Sequence, residues 1–325
     1  MDIVFYTHAN KSTGFGHASR SAKVARIIQT MNPKVKCGFY GEFDKTAREV
    51  ISTITAVKFL ENPVGKVGVY DRMDDPEDPY KWSNENFALL QRNCQSVVFM
   101  ANSPKMPDLP EQVTIIGYKF GARHIGKKNC HWGIKFAPIE IDTVSARKAS
   151  SEKGKILVAL GGSEGSSATE KVITACNRID EIKSIDVLSS PVNPITLQEV
   201  SAHTRKPLCV LSNVPSLGEL ICHAEIIFTS YGHLAYECMA MGKPICVAGQ
   251  KNFQSLYASE LTRRGLCIST GGISDLTVSE LAHSIQNTIL FKSKLIRENK
   301  RLFDGDGLKR TSKIILKILE EDNCN

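Results

Sequence analysis

Residues 2–21 read DIVFYTHANKSTGFGHASRS and pass from one kind of structure to another. DIVFYTH (2–8) is an apolar strand. Ala18, Ala22, Ala25 and Ile28 then recur every three or four residues, which predicts a helix. Gly14, Gly16, His17 and Arg20 therefore stand at a strand-to-helix turn. In an open α/β sheet ligands bind at the carboxyl ends of the strands, where loops gather and helix N-termini present bare N–H groups. The stretch opens a βα unit and is a candidate site.

The same rhythm continues outward. Strand-like KVKCGFYG, AVKFLE, VGVYD, SVVFMANS and VTIIGY alternate with helical segments around 45–51 and 84–94, and strands separated by helices predict a parallel sheet. Residues 119–152 lose the rhythm, with SARKASSEKGK as the most linker-like piece. It restarts with KILVALGG and runs through SIDVLSS, LCVLSN, EIIFTS and PICVAG, with helices near 168–179, 217–223 and up to Met241, then further helices to the end. This predicts two α/β domains, 1–150 and 151–325, with the last helix free to pack back on the first. Two domains also suit 325 residues.

Composition narrows the class. An apolar fraction of 42% and a charged fraction of 23% are those of a soluble globular chain. No apolar window is long enough to span a bilayer, and the sequence enters a strand without a leader-like segment, so a cytoplasmic location is expected. The ten cysteines are scattered without a C-x-x-C pair and read as buried free thiols. Cys130-His131 lacks companions at ligand spacing, so no metal is expected. The net charge of +7 lies in the first half, where 21 basic side chains face 15 acidic ones. A solvated basic face explains this most simply. A nucleotide or a phospholipid surface would also be drawn there, so peripheral membrane contact is one expectation, whereas nucleic acid is disfavoured because no basic stretch is interleaved with aromatics.

Two second-half stretches carry further candidates. In ILVALGGSEGSSAT (156–169), Gly161, Gly162 and Ser163 follow a strand and precede a helix N-terminus, which suits a phosphate and equally suits a plain tight turn. In EIIFTSYGHLAYECMAMGKPICVAG (225–249), Ser230 ends a strand, Gly232 turns the chain, and Gly242 and Pro244 read as helix stop signals. Glu237 lies about a turn into the helix. It is placed either to accept hydrogen bonds from two ribose hydroxyls or to complement the helix dipole. Neither the dinucleotide fingerprint nor the P-loop pattern occurs.

Taken in order, the Gly-x-Gly-His-x-x-Arg turn, ILVALGGS, and T-S-x-G-x-x-x-x-E followed by M-G-K-P and a Gln resemble nucleotide-sugar enzymes of the GT-B fold. They are similar to the UDP-N-acetylglucosamine transferase of peptidoglycan synthesis and to the UDP-sugar hydrolase of pseudaminic acid synthesis. The resemblance implies two Rossmann-like parallel-sheet domains facing each other across a cleft. It implies His17 as general base, with a phosphate contact as the alternative role, and Gly14 and Gly16 as space for the diphosphate. Arg20 would orient the loop or touch ligand. Gly161, Gly162 and Ser163 would face the diphosphate, the Val214 region the uracil, Ser230, Gly232 and His233 the phosphates and sugar, Glu237 the ribose, and Gln254 the donor sugar.

One departure concerns the last loop. Where the hydrolase has Asn-Gln, this chain has Phe253-Gln254, with the asparagine displaced to Asn252. Asp71, Asp74 and Asp75, in VYDRMDDPEDPYKW (69–82), look like a metal cluster, but GT-B enzymes generally stabilise the leaving diphosphate with a helix N-terminus and basic groups. These aspartates are expected to cap helices or pair with basic neighbours. The expectation is a metal-independent transferase using a UDP-sugar, or another nucleotide-sugar, and an unidentified acceptor, with inversion. A UDP-sugar hydrolase and a non-catalytic nucleotide-sugar binder are the alternatives.

Overall fold

In the computed structural model, Ile, Val, Phe and Tyr of strand β1 (Ile3–Tyr6) are all buried, as a strand covered on both faces requires. The structure describes residues 1–10, 14–74, 83–101, 109–120, 129–140, 150–161, 166–190, 194–212, 214 and 216–324. The chain forms two units, Met1–Glu140 with Gly305–Asn325, and Ile141–Asp304. The end of the chain groups with the first unit.

The first unit contains β1, α1 (Gly16–Met31), β2 (Cys37–Tyr40), α2 (Lys45–Ile54), β3 (Lys58–Phe59), β4 (Gly65–Tyr70), α3 (Asn84–Asn93), β5 (Cys94–Ala101), β6 (Thr114–Gly117) and β7 (Cys130–Trp132). Its sheet runs β3-β2-β1-β4-β5-β6-β7, parallel throughout. β1 is therefore flanked by β2 on one side and by β4 on the other, so the strand order reverses there. Strand β7 and the 3₁₀ turn Ile134–Phe136 fill part of the stretch where the sequence pattern fades.

In the second unit, β8 (Lys155–Ala159), α4 (Ser166–Asn177), β9 (Ser184–Leu188), α5 (Leu197–Ser201), β10 (Leu208–Leu211), α6 (Leu217–His223), β11 (Ile226–Ser230), α7 (His233–Ala240), β12 (Ile245–Gly249), α8 (Asn252–Arg263), β13 (Ile268–Gly272), α9 (Val278–Leu290) and α10 (Lys292–Leu302) follow one another. The parallel order is β10-β9-β8-β11-β12-β13, with its own reversal between β8 and β11. The carboxyl edge at such a reversal is where an open sheet leaves a crevice. Residues after β1 and β4, and after β8 and β11, are therefore placed to form sites.

Helix α11 (Gly307–Cys324) returns to the first unit because its buried positions Leu308, Thr311, Ser312, Ile315, Leu316 and Leu319 recur at helical spacing. Leu308, Ile315, Leu316 and Leu319 join the core that contains Ile3, Phe5, Ala22, Ala25 and Ile28. Thr311 Oγ1 donates to Phe136 O at 2.9 Å, and Gly307 lies so close to Ala137 that a Cβ would meet its carbonyl oxygen at 2.1 Å. Nine described cysteines are free thiols, and Cys37, Cys94, Cys176, Cys222, Cys238, Cys246 and Cys267 are buried. Among the described residues no helix is long and apolar enough to cross a membrane.

Truncating Ile315, fully buried on α11, is expected to destabilise the first unit by about 2–5 kcal/mol in denaturant unfolding. Lys317→Ala, on the solvent face, should change stability by no more than about 0.5 kcal/mol. Equal effects of the two substitutions would show that α11 does not belong to this core.

Candidate active site

The first unit's site is built around one carboxylate. Asp71 directly follows β4, and its backbone N–H donates to Tyr6 O at the end of β1, 2.9 Å away, so strand pairing brings it to the β1–α1 turn. Its side chain has no exposed surface. Oδ2 accepts from Arg20 Nε at 3.0 Å and from Ser21 Oγ at 2.8 Å, and Oδ1 accepts from Arg20 Nη2 and from His17 Nδ1, the latter at 2.9 Å. Burial works to raise the Asp71 carboxyl, but Arg20 and the hydrogen bond from His17 outweigh it and hold it well below the usual carboxylate range. Arg20 is buried as well, and its Nη1 donates to Tyr118 Oη at 3.0 Å, just beyond β6.

This network fixes the state of His17. Two groups face Nδ1, the Asp71 carboxylate at 2.9 Å and the Arg20 Nη2 donor at 3.3 Å, and the closer, charged acceptor places the ring proton there and leaves Nε2 with its lone pair. Nε2 makes no hydrogen bond among the described residues, and the side chain keeps 15% of its surface open. Burial lowers the imidazole pKa below the ordinary histidine value, against the opposing pull of Asp71, so the ring is neutral at pH 7. A neutral imidazole, oriented by a carboxylate and open at the other nitrogen, can take a proton from a hydroxyl. Nearby Lys119 is held down to about 7 by burial and then by Arg20.

Glycine and capping patterns mark the same edge. Gly14 has φ +70°, which favours glycine, while Gly16 opens α1 with no heavy atom within 4 Å of where a Cβ would stand. In the second unit Gly161 has φ +85°, whereas Gly232, before α7, is in extended backbone with equally open space around it. Neither dihedral nor packing requires glycine at 16 or 232. Asp44, Ser83, Thr196, Ser216 and Thr277 cap α2, α3, α5, α6 and α9. Helices α1 and α7 begin with no side-chain cap and no acid in the first turn, as does α10 where it continues from α9. Uncapped N–H groups at a sheet's carboxyl edge are suited to an anion.

Around α7 the second unit brings several predicted residues together. Ser230 Oγ donates to Leu160 O at 2.7 Å, beside Gly161, and Gln250 Nε2 donates to the same carbonyl at 2.6 Å. His233 Nε2 lies 3.6 Å from Glu237 Oε1, and both side chains are nearly buried. Glu237 stands beyond the first turn of α7, where the helix dipole no longer explains a buried carboxylate. Gln254 Oε1 accepts from the N–H groups of Gln250 and Lys251, capping α8 and leaving its Nε2 without a partner among the described residues. Val214 is half-buried between β10 and α6, whereas Gly162, Ser163 and Asp75 lie outside the described residues. Asp74 pairs with Arg72 and accepts from Asn86 Nδ2 and the Ser83 N–H, fastening the start of α3.

The partnership of Asp71 with His17, 54 residues apart, is what motif reading missed. Counting strands supplies the signal, since the fourth strand of a 3-2-1-4 order lies beside the first.

No protein-family model matches the chain. It is 21% identical over 314 residues to the pseudaminic acid cytidylyltransferase and UDP-2,4-diacetamido-2,4,6-trideoxy-beta-L-altropyranose hydrolase of Helicobacter pylori, covering 94% of this chain and 54% of that protein. It is also 23% identical over 175 residues to the spore coat polysaccharide biosynthesis protein SpsG of Bacillus subtilis, covering 51% of each. The chain spans about half the length of these relatives. Among solved structures, MurG of Acinetobacter baumannii superimposes with a TM-score of 0.67 at 11% identity, covering 98% of this chain and 100% of that one. A calicheamicin glycosyltransferase gives 0.63 at 10% identity over 98% of each chain, and the glycosyltransferase VinC in complex with DTDP gives 0.58 at 12% over 99% and 100%. The fold is that of the GT-B glycosyltransferases, two parallel-sheet α/β units.

Removing Arg20 leaves the Asp71 charge buried without its cation. Arg20→Ala is expected to lose about 3–5 kcal/mol of stability at pH 7. The Asp71 pKa is depressed in the folded protein, so its stabilisation is present above the unfolded value of about 4 and is lost as pH falls through the lower folded value. Asp71→Asn should flatten that acid limb of a urea-midpoint profile. An unchanged limb would remove the buried ion pair from the account.

Proposed function

We propose that the chain is a glycosyltransferase that moves a sugar from a UDP-linked donor to an acceptor hydroxyl with inversion. The observation that carries this reading is the His17 imidazole, tied to Asp71 through Nδ1 and open at Nε2, on a glycosyltransferase fold. In the reaction the acceptor oxygen forms a bond to the anomeric carbon as its proton passes to Nε2. The electron pair of the breaking C–O bond leaves with the diphosphate, and Asp71 stabilises the imidazolium that results. A single displacement inverts the anomeric centre.

The second unit holds the donor in this reading. The uncapped start of α7 and the turn at Gly161 take the diphosphate, so its charge is carried by helix N–H groups rather than by a metal. Glu237 accepts from the ribose hydroxyls, Val214 borders the base, and Gln254 donates through Nε2 to the sugar. Support for a nucleotide partner comes from VinC, solved with DTDP, and from the teichoic acid polymerase TagF, solved with CDPG. Arg20 supports the His17 loop and does not touch ligand, since its guanidinium is engaged by Asp71 and Tyr118.

The Helicobacter relative, whose name includes a UDP-sugar hydrolase, favours a second reading in which water replaces the acceptor. Phe253 at the asparagine position weighs against it. A non-catalytic binder would have no use for an oriented, neutral His17.

Nucleotide release from a panel of nucleotide-sugars, with and without cell extract, separates these readings. Extract-dependent release is expected, and release that is equally fast without extract would make the protein a hydrolase. His17→Ala should keep UDP affinity by calorimetry and lose about 10²–10⁴-fold in turnover. Wild-type turnover in that variant would contradict the base assignment, and lost UDP affinity would move His17 to phosphate binding. Glu237→Ala should weaken UDP about tenfold or more. Because the His17 pKa is depressed, turnover should be level through neutral pH and fall on the acid side below about 6.5, as Nε2 becomes protonated.

A further inference from the structure

A second imidazole stands at the end of β1, outside the reaction just described. His8 is 2% exposed, and its Nε2 is buried without a hydrogen-bond partner among the described residues. The hydroxyl of Thr7, the preceding residue, is in the same condition. The His8 ring meets that of His17 edge-on, with centroids 5.4 Å apart and planes at 76°. Burial, then His17 and Arg72, lower its pKa to about 3, so the ring is uncharged near neutral pH.

An unpaired nitrogen shielded from water costs the free protein stability, whereas a phenyl ring would fill much the same space at no such cost. The nitrogen has a use if something that binds there meets it. The adjoining group is His17, which is partly open and carries the unprotonated Nε2. Two uncharged imidazoles in contact present hydrogen-bonding nitrogens to neighbouring hydroxyls, and neither offers a phosphate the positive charge that would hold it.

Building on His17 as the base, we propose that His8 is a substrate-reading residue: its Nε2 pairs with a hydroxyl of the acceptor adjacent to the one that His17 deprotonates. The acceptor is then a sugar or another polyol with vicinal hydroxyls, and its entry requires a small shift of the His17 ring. His8 makes no bond to the reacting carbon and takes no proton.

The test compares His8→Phe, which keeps a ring against His17 without the nitrogen, with His8→Gln, whose amide can hydrogen-bond near the same place. Each is measured for thermal unfolding, UDP affinity and extract-dependent nucleotide release. His8→Phe should melt at or above the wild-type temperature, keep UDP affinity and lose about tenfold or more in extract-dependent release, and His8→Gln should recover part of that loss. A His8→Phe protein that melts several degrees lower would show that the nitrogen is already paired in the free protein, and wild-type release would show that no substrate group meets it. Either result overturns the proposal. Failure of the base assignment itself would appear instead as wild-type release by His17→Ala, and the melting comparison requires no substrate.

Discussion

A carboxylate with no access to water is the constraint on which the first unit's site depends. Burying Asp71 is tolerable only if its lone pairs are filled and its charge is offset, and the sequence does both with Arg20, Ser21 and His17, all on the first turns of α1. Those turns face Asp71 because β4 is the neighbour of β1 in the sheet. Tyr118 engages the far side of Arg20 and draws the end of β6 into the same network. The chemistry follows from this packing: a carboxylate at Nδ1 sets the tautomer, and the tautomer decides that Nε2 is the basic atom.

The second unit repeats the strand order and uses it differently. Its central reversal carries no buried arginine–carboxylate pair of this kind among the described residues. It carries a turn at Gly161, an uncapped α7 and Glu237 near His233. A helix whose N–H groups have no side-chain cap retains the ability to bind an anion, which capped helices have given up to Ser, Thr or Asp. Both units therefore place an open helix start at the reversal of the sheet, one beside an imidazole and the other beside a buried carboxylate. At 10–12% identity to glycosyltransferases of known structure, it is the two-unit parallel-sheet fold that is retained.

Much of this was legible in the sequence because its cues are local. Apolar strands such as DIVFYTH and EIIFTS, bounded by glycine turns and followed by amphipathic helices, fix a parallel α/β fold, and the helix over 217–223 is placed as expected. Strand β7 leaves no pattern in the sequence because CHW is three residues long and only half-buried at a sheet edge. Strand β13 leaves none either, because ISTGG lacks the apolar run of its neighbours. The short α5 depends on a Thr196–Glu199 capping box rather than on an apolar stripe. The expectation that the aspartates of 71–75 pair with basic neighbours covers Asp71 and Asp74, yet it does not foresee that Asp71 would orient His17. That relation depends on which strands lie side by side, which the hydrophobic pattern gives only once its strands are counted against the 3-2-1-4 order of a doubly wound sheet.

The measurement that bears most directly on this account is the protonation state of the two His17 ring nitrogens, read by ¹⁵N NMR of the histidine-labelled protein between pH 7 and 8. A neutral ring with the proton on Nδ1 and an unprotonated Nε2 is expected, with loss of that preference in Asp71→Asn, where the charged acceptor is gone. A His17 ring protonated at Nε2, or one whose tautomer is the same with and without the Asp71 charge, would contradict it.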